Sequence, residues 1–291
     1  MTDTSKYHLP KGTSADGPYD LLVTPESAGW GHSGLRILTL RPGQAHTLST
    51  GDSEFLVLPL TGSCTVTTDG TAFELTGRTG VFASATDFAY LPRESVALIS
   101  SADGGTFALP SARTERSSLS ARYGPQKNVP VELRGAGACS RQVNNYCLPG
   151  TFEAEQLPVC EVLTPGGNWS SYPPHKHDTA RPGQESELEE IYYFQVAGED
   201  GFAYQRVYGT ENRPIDVLAE VRSGDTVLIP HGWHGPSIAA PGYDLYYLNV
   251  MAGPGQDRAW LICDDPAHGW VRETWESQDV DDRLPFEGLT Q

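Results

Sequence analysis

The chain has no apolar run of the ~18 to 20 residues that a membrane-spanning helix needs. Its longest stretch of that character, Val227 to Pro254, is broken by Asp244, two histidines and several prolines and glycines. Cysteine is scarce and unpatterned: Cys64, Cys139, Cys147, Cys160 and Cys263 are odd in number and include no CxxC pair. Neither a disulfide framework nor a thiolate zinc site is signalled, and the five read as reduced, mostly buried thiols. Positive charge is short as well, with 20 Lys+Arg against 37 Asp+Glu and a formal charge of −17. A chain so acidic is not expected to bind nucleic acid or an anionic membrane surface. The N-terminal MTDTSKYHLPKG has no apolar segment behind its lysines, so no secretory signal is expected and the cytoplasm is the expected compartment. Helical 3.6 periodicity is scarce throughout.

What is abundant is turn chemistry and aromatic bulk: 31 Gly and 22 Pro, with 6 Trp, 13 Tyr and 9 Phe to fill a core. Short runs of strand character recur at Leu35–Leu40, Glu54–Leu60, Cys64–Thr68, Ala97–Ile99, Glu190–Val196, Phe202–Tyr208, Thr226–Ile229 and Leu245–Met251. Short strands separated by Gly, Pro and Asp predict an all-β protein of antiparallel barrels rather than alternating β and α units. The halves share a spacing. Glu54 opens an apolar run that ends at Gly62 and is followed by Pro92; Glu190 opens one that ends at Gly198 and is followed by Pro230. This predicts an internal duplication into two jelly-roll-like barrels joined through the polar stretch Ser111 to Lys127, with domains at 1–115 and 116–291. The acidic segment after Asp264 reads as a solvated C-terminal extension.

The strongest local signal is Tyr172-Pro173-Pro174-His175-Lys176-His177-Asp178. Two prolines forbid a helix entering here, and in a strand residues two apart share a face. His175 and His177 therefore project together, as two neutral nitrogen ligands of a divalent transition metal do. Lys176 points to the other face and reads as a rim residue. Further ligands must come from elsewhere: Glu190 begins EIYYFQV, and Ser223-Gly224-Asp225 leads through Val227-Leu228-Ile229 to Pro230-His231-Gly232-Trp233-His234.

Here the chain resembles a cupin, whose first motif has HxH, then Glu and Gly, and whose second has Gly, five residues, Pro-x-Gly and a later His. Gly224, Pro230 and Gly232 match the second motif without a gap. The resemblance implies the ligand set His175, His177, Glu190 and His234. His234 follows Gly232 one residue early, which leaves His231 as its rival. His177 and Glu190 are separated by twelve residues, more than in simple cupins, so Thr179 to Glu189 is expected to be a loop inserted at the barrel rim, with Glu185, Glu187 and Glu189 as lesser competitors for the ligand position. The first half has Val96 near the place of His234 and only His46 upstream of Glu54, so its barrel is expected to be degenerate and metal-free. His8, His32 and His268 read as surface or locally bonded residues.

The wider pattern is narrower still. HKHD, LEEIYYFQV, GFAYQRVYG, VLIPHGWHGPSIAAPGYDLYYLNVMAGP, RGAGACSRQVNN at Arg134 to Asn145 and LPLTGSCTVTTDG at Leu58 to Gly70 resemble the 5-deoxy-glucuronate isomerases of bacterial myo-inositol catabolism over most of the chain. The resemblance implies a two-barrel, metal-dependent isomerase converting 5-deoxy-D-glucuronate to 5-dehydro-2-deoxy-D-gluconate, with zinc or manganese as the ion. The rival readings are the related 5-keto-4-deoxyuronate isomerase, a cupin Fe(II) dioxygenase, and a non-catalytic sugar-binding cupin.

An aldose-to-ketose shift moves a proton between adjacent carbons through an enediolate, whose charge a divalent ion stabilises as Lewis acid and template. The substrate is an anionic sugar acid, so a chain of charge −17 needs a local cation. If Glu190–Val196 forms a hairpin with Phe202–Tyr208, then Arg206 enters the barrel beside Tyr192 and meets the carboxylate. A one-residue slip turns Gln205 inward instead. The proton-transferring group is open among Tyr208, Tyr192, His231 and Glu189. Arg141, Asn144 and Asn145 form a polar cluster of undecided role. Exposed strand edges lead to an expectation of self-association into a homo-oligomer.

Overall fold

The structure is a computed structural model that describes residues 3–255 and 258–286. Strands dominate, and the α-helices among the described residues are single turns, Thr4–Tyr7, Pro25–Ala28 and Val271–Thr274. The all-β, two-barrel expectation is met. A nine-stranded antiparallel sheet forms the N-terminal barrel. The C-terminal barrel is closed by two facing sheets. One runs in the order His8–Leu9, Thr226–Ile229, Glu189–Val196, Leu245–Ala252, Val159–Thr164, Arg141–Asn145 and Val131–Arg134. The other runs Arg213–Val221, Ala203–Thr210, Trp233–Ala239, His175–Lys176 and Cys263–Asp264.

Three clusters of apolar side chains fill the molecule. Phe55, Val57, Leu91 and Phe107 lie inside the N-terminal barrel, and Val143, Phe194, Val207 and Tyr247 inside the C-terminal one. The third lies between the barrels, where Leu35, Leu56 and Leu58 meet Ile191, Tyr193, Leu248 and Val250. Glu189–Val196 and Leu245–Ala252 are thus covered on both faces, which is why they read as near-continuous apolar runs without alternation. A buried ion pair lies in the same interface. Glu161, on a strand of the C-terminal barrel, accepts hydrogen bonds from Arg78 Nη1 at 3.1 Å and from the Tyr146 and Tyr246 hydroxyls at 2.8 and 2.7 Å.

Several boundaries differ from the sequence expectation. Glu54–Leu60 and Cys64–Thr68 are one bent strand, Ser53–Thr68, serving both walls of its barrel. At the bend Gly62 takes φ +79°, and a Cβ there would lie 2.4 Å from the Gly104 carbonyl oxygen. The 115/116 division is crossed twice: His8 pairs with Val227 in the C-terminal barrel, and Arg122–Gly124 pairs with Phe88–Leu91 in the N-terminal one. The insertion after His177 is a small hairpin of Asp178–Arg181 against Glu185–Glu187. The C-terminal extension is not a free solvated tail. Cys263–Asp264 pairs with His175–Lys176, and Val271 is buried.

The shared spacing needs a shift of one residue. Glu190 pairs with Ile229, just before Pro230, whereas the residue that pairs with Leu91, just before Pro92, is Phe55 rather than Glu54. A single residue reverses the face of a strand. Glu190 points into its barrel with Tyr192 and Phe194, while Glu54 points out of the other barrel and accepts backbone N–H bonds from Glu155 and Gln156.

Candidate metal centre

His175 and His234 are directly opposite each other on adjacent antiparallel strands, and Glu190 enters from the facing sheet. Burial alternates as the HxH pattern predicts, with His175 and His177 buried and Lys176 turned aside to bind Asp178 and Glu185. The ligand atoms of His177, Glu190 and His234 all lie within 4.8 Å of one another. Glu190 Oε2 is 3.2 Å from His177 Nε2 and 3.1 Å from His234 Nε2. His175 stands outside this tight set but against it, its ring centroid 4.5 Å from that of His234. Backbone carbonyls face the other ring nitrogen, Pro173 O at 3.3 Å from His175 Nδ1 and Gly232 O at 3.2 Å from His234 Nδ1. A carbonyl at Nδ1 favours its protonation and leaves the Nε2 lone pair free for a ligand bond.

Burial keeps two of these rings neutral, the form that binds metal. The His175 pKa is pushed down to about 3 by burial and then by His177, and that of His234 is held well below the usual value, again by burial first. For His177 burial also opposes the charge, but the hydrogen bond and negative charge of Glu190 outweigh it and raise the pKa. Glu190 Oε1, His177 Nδ1 and His234 Nε2 are buried without a hydrogen-bond partner among the described residues. Each such orphan costs about 1 to 3 kcal/mol, and three in one cluster is unusual for a site built only to fold. A divalent cation held by Glu190 and the imidazoles would satisfy the carboxylate and the His234 lone pair, so the donor set fits a divalent transition metal.

His231, the rival ligand, is half-buried outside the cluster. Glu189 is held elsewhere, accepting backbone N–H bonds from Gly31, His32 and Ser33 at 2.7, 2.9 and 3.0 Å, and so ties the barrels together. Tyr208 donates its hydroxyl to Asp265 at 2.5 Å. The hairpin expected to bring Arg206 inward does not exist, because Glu189–Val196 and Ala203–Thr210 belong to different sheets. Arg206 points outward and pairs with Asp216, so its assignment to the substrate is corrected. Gln205 does turn inward and is fully buried, but its amide is engaged by Ser237 and its own strand. Tyr192 is at the centre, with its hydroxyl 2.8 Å from Ser171 Oγ and its ring 6.1 Å from that of His234.

A cavity of about 170 Å³ opens beside His175 and Tyr192. It is lined in addition by Arg134, Arg141, Arg272, Asn249 and Trp260. Of the three arginines only Arg141 stood out in the sequence, without a role. The signal was the turn Gly135-Ala136-Gly137-Ala138-Cys139-Ser140 between two arginines, which makes Arg134 and Arg141 cross-strand partners. Arg272 and Trp260 arrive from the C-terminal extension, and nothing local marks them. Asn144 is taken by Glu161, and Asn145 lies near Glu132.

The sequence matches the KduI/IolB family over residues 8–271. It is 43% identical over 87% of its length to a 5-deoxy-glucuronate isomerase of Geobacillus thermodenitrificans, 90% of which is covered. It is 36% identical over 86% of its length to the Bacillus subtilis (strain 168) enzyme of the same name, 92% of which is covered. Among solved structures, an IolB-like protein from Salmonella typhimurium LT2 superposes with a TM-score of 0.85 at 32% identity, covering 91% of this chain and 98% of that one. A Lactobacillus farciminis oxalate decarboxylase shares the fold at a TM-score of 0.64 and 13% identity, over 89% and 88% of the two chains. A Bacillus subtilis oxalate decarboxylase described with Mn(II) centres does so at 0.57 and 14%, over 84% and 74%. With its two cupin barrels and the match over nearly its whole length, the chain belongs to the KduI/IolB family and is an enzyme of the isomerase class.

Proposed function

We propose that this enzyme is a metal-dependent aldose–ketose isomerase that converts 5-deoxy-D-glucuronate to 5-dehydro-2-deoxy-D-gluconate in myo-inositol degradation. The observation that carries the reading is the buried His177, Glu190 and His234 cluster, with His175 opening it onto a cavity lined by arginines, in a chain similar to enzymes named for this substrate. The ligands are His175, His177, Glu190 and His234, and the ion is zinc or manganese. When bound, a divalent ion supplies Lewis-acid polarisation of the carbonyl and the adjacent hydroxyl oxygen.

The chain's own residues supply position and proton control. The reaction removes a proton from C2, places one on C1 and moves the carbonyl from C1 to C2, with no net oxidation. Tyr192 is the one of the four proton-transfer candidates that lines the cavity with His175. Burial first, and the charge of Glu190 after it, raise its pKa well above the usual value. Its hydroxyl therefore holds its proton at neutral pH and serves as a donor to developing negative charge rather than as the base. The low exposure of the three tight ligands keeps bulk water from the same oxygens. We place the enzyme in the cytoplasm on this reading of its chemistry; among the described residues no helix is long and apolar enough to cross a membrane.

The test follows 5-deoxy-D-glucuronate by NMR in deuterated buffer, before and after chelation and with zinc or manganese restored. The expected result is ketose carrying one deuterium on the hydroxymethyl carbon that was the substrate's aldehyde carbon, lost with chelator and regained with metal. Preferential conversion of 5-keto-4-deoxyuronate, or substrate-dependent oxygen uptake, overturns the assignment in favour of the corresponding rival.

A further inference from the structure

Arg134 and Arg141 are direct cross-strand partners, an arrangement in which like charges repel, and both side chains line the cavity beside His175 together with Arg272. Two of the three positive charges are answered within the chain. Arg134 donates to both oxygens of Glu132 at 2.7 and 2.9 Å, and Arg272 grips both oxygens of Asp264. Arg141 is different. It is only 5% exposed, yet among the described residues no carboxylate pairs with it directly; Glu132, already bound by Arg134, feels its charge without bonding it. Its contacts are one hydrogen bond, from Nη1 to the Cys139 carbonyl at 3.0 Å, and the face of Trp275 at 5.4 Å. A buried guanidinium with no counter-ion is costly and uncommon. Burial, reinforced by Arg134 and Arg272, lowers its pKa to about 10, so it remains charged at neutral pH.

We infer that Arg141 is the anchor for the substrate's carboxylate, with Arg134 and Arg272 as flanking cations whose own charges are already neutralised. This rests on the proposed reading that the site acts on a sugar acid. A planar carboxylate supplies the acceptor pair that the guanidinium fork lacks. The cavity holds the volume of roughly half a dozen waters at ~30 Å³ each, room for a small acid lying between the arginines and His175. Anchoring one end at Arg141 presents the other end of a linear acid to the histidine cluster. The site thereby selects uronic acids over neutral aldoses in a molecule whose net charge of −17 repels anions elsewhere.

The test compares wild type with Arg141→Met and Arg141→Lys, with Arg222→Met, an exposed arginine paired with Glu220, as the control. The readouts are KM and kcat for 5-deoxy-D-glucuronate, bound metal, and the shift in Tm given by D-gluconate and by its uncharged analogue D-glucitol. Loss of charge-assisted hydrogen bonds predicts a rise in KM of about 10- to 100-fold for Arg141→Met, with metal content unchanged. Gluconate is expected to raise the Tm of wild type but not of Arg141→Met, and glucitol to shift neither. Arg141→Lys retains charge without the fork and falls between. An unchanged KM and an unchanged gluconate shift in both variants overturn the inference while leaving the isomerase reading intact. A wild type stabilised by gluconate but without isomerase activity overturns the isomerase reading alone. Stabilisation by inorganic phosphate equal to that by gluconate overturns the carboxylate assignment. A lower Tm for Arg141→Met with unaltered KM assigns Arg141 to the fold instead.

Discussion

At the scale of single residues, what marks out His177, Glu190 and His234 is that three atoms without a hydrogen-bond partner fall in one cluster of side chains able to ligate a metal. Glu161 is as deeply buried as Glu190, but its oxygens are covered by Arg78, Tyr146, Tyr246 and Asn144, whereas Glu190 Oε1 has no partner among the described residues. The first is used up in holding the fold, and the second keeps an oxygen free, as the proposed metal site requires. His234→Ala is accordingly expected to bring bound metal close to zero and to lower kcat/KM about 100-fold or more, since several kcal/mol of charge stabilisation depart with the ion. Metal analysis and steady-state kinetics check this, and a variant that keeps both its metal and its rate removes His234 from the ligand set. Glu189 shows how fine the distinction is. It is adjacent to Glu190 and bears the same side chain, but a strand sends it to the opposite side, where three backbone N–H groups of the N-terminal barrel take it.

At the scale of elements, the long strand Ser53–Thr68 shows why turn residues mislead when read locally. Gly62 looks like the end of a strand, yet its φ of +79° is used to bend the strand so that it continues into the second wall of the barrel. Replacing it with alanine brings a Cβ to 2.4 Å from the Gly104 carbonyl oxygen in a left-handed backbone. Gly62→Ala is expected to destabilise by about 1 to 3 kcal/mol from the backbone conformation alone, with the close contact adding to it. Equilibrium urea unfolding measures the loss, and a stability within error of wild type refutes the account. The strand Ala203–Thr210 gives the complementary lesson. The run expected at Phe202–Tyr208 does form a strand, but its partners are Arg213–Val221 and Trp233–Ala239 rather than Glu189–Val196, so Arg206 faces out of the barrel.

At the scale of the whole molecule, the barrels are joined by apolar packing around the buried Arg78–Glu161 pair. The Arg78 and Glu161 side chains are fully inaccessible. Arg78→Met leaves the Glu161 charge without its counter-ion, for which about 3 to 5 kcal/mol of lost stability is expected. The double variant Arg78→Met with Glu161→Leu is expected to recover most of it, because an apolar replacement of both partners is often neutral. Chemical denaturation of the single and double variants distinguishes the two; an equally unstable double variant assigns the loss to packing rather than charge. The exchange of short edge strands, His8–Leu9 one way and Arg122–Gly124 the other, adds to this union. It also explains why a cut at 115/116 divides the sequence more cleanly than it divides the structure.

Much of the fold and part of the site were legible without coordinates, for reasons of period and chemistry. Alternation and Gly/Pro punctuation specify strands because the pleat has a period of two. His-x-His puts two imidazoles on one face for the same reason, and the run from Gly224 to His234 ends by placing His234 in the strand Trp233–Ala239, directly opposite His175. By itself the sequence determined the all-β class, the two-barrel plan, the family resemblance and the histidines and glutamate that the structure brings together. Only the tertiary structure decided which side of each barrel a glutamate faces, that Phe55 and not Glu54 stands opposite Leu91, and that the cavity's cations are Arg134, Arg141 and Arg272 rather than Arg206. The physical reason is that strand pairing is non-local. A one-residue shift in register reverses every side chain on a strand, and Arg272 reaches Arg141 only because distant segments are packed together, which no local pattern records.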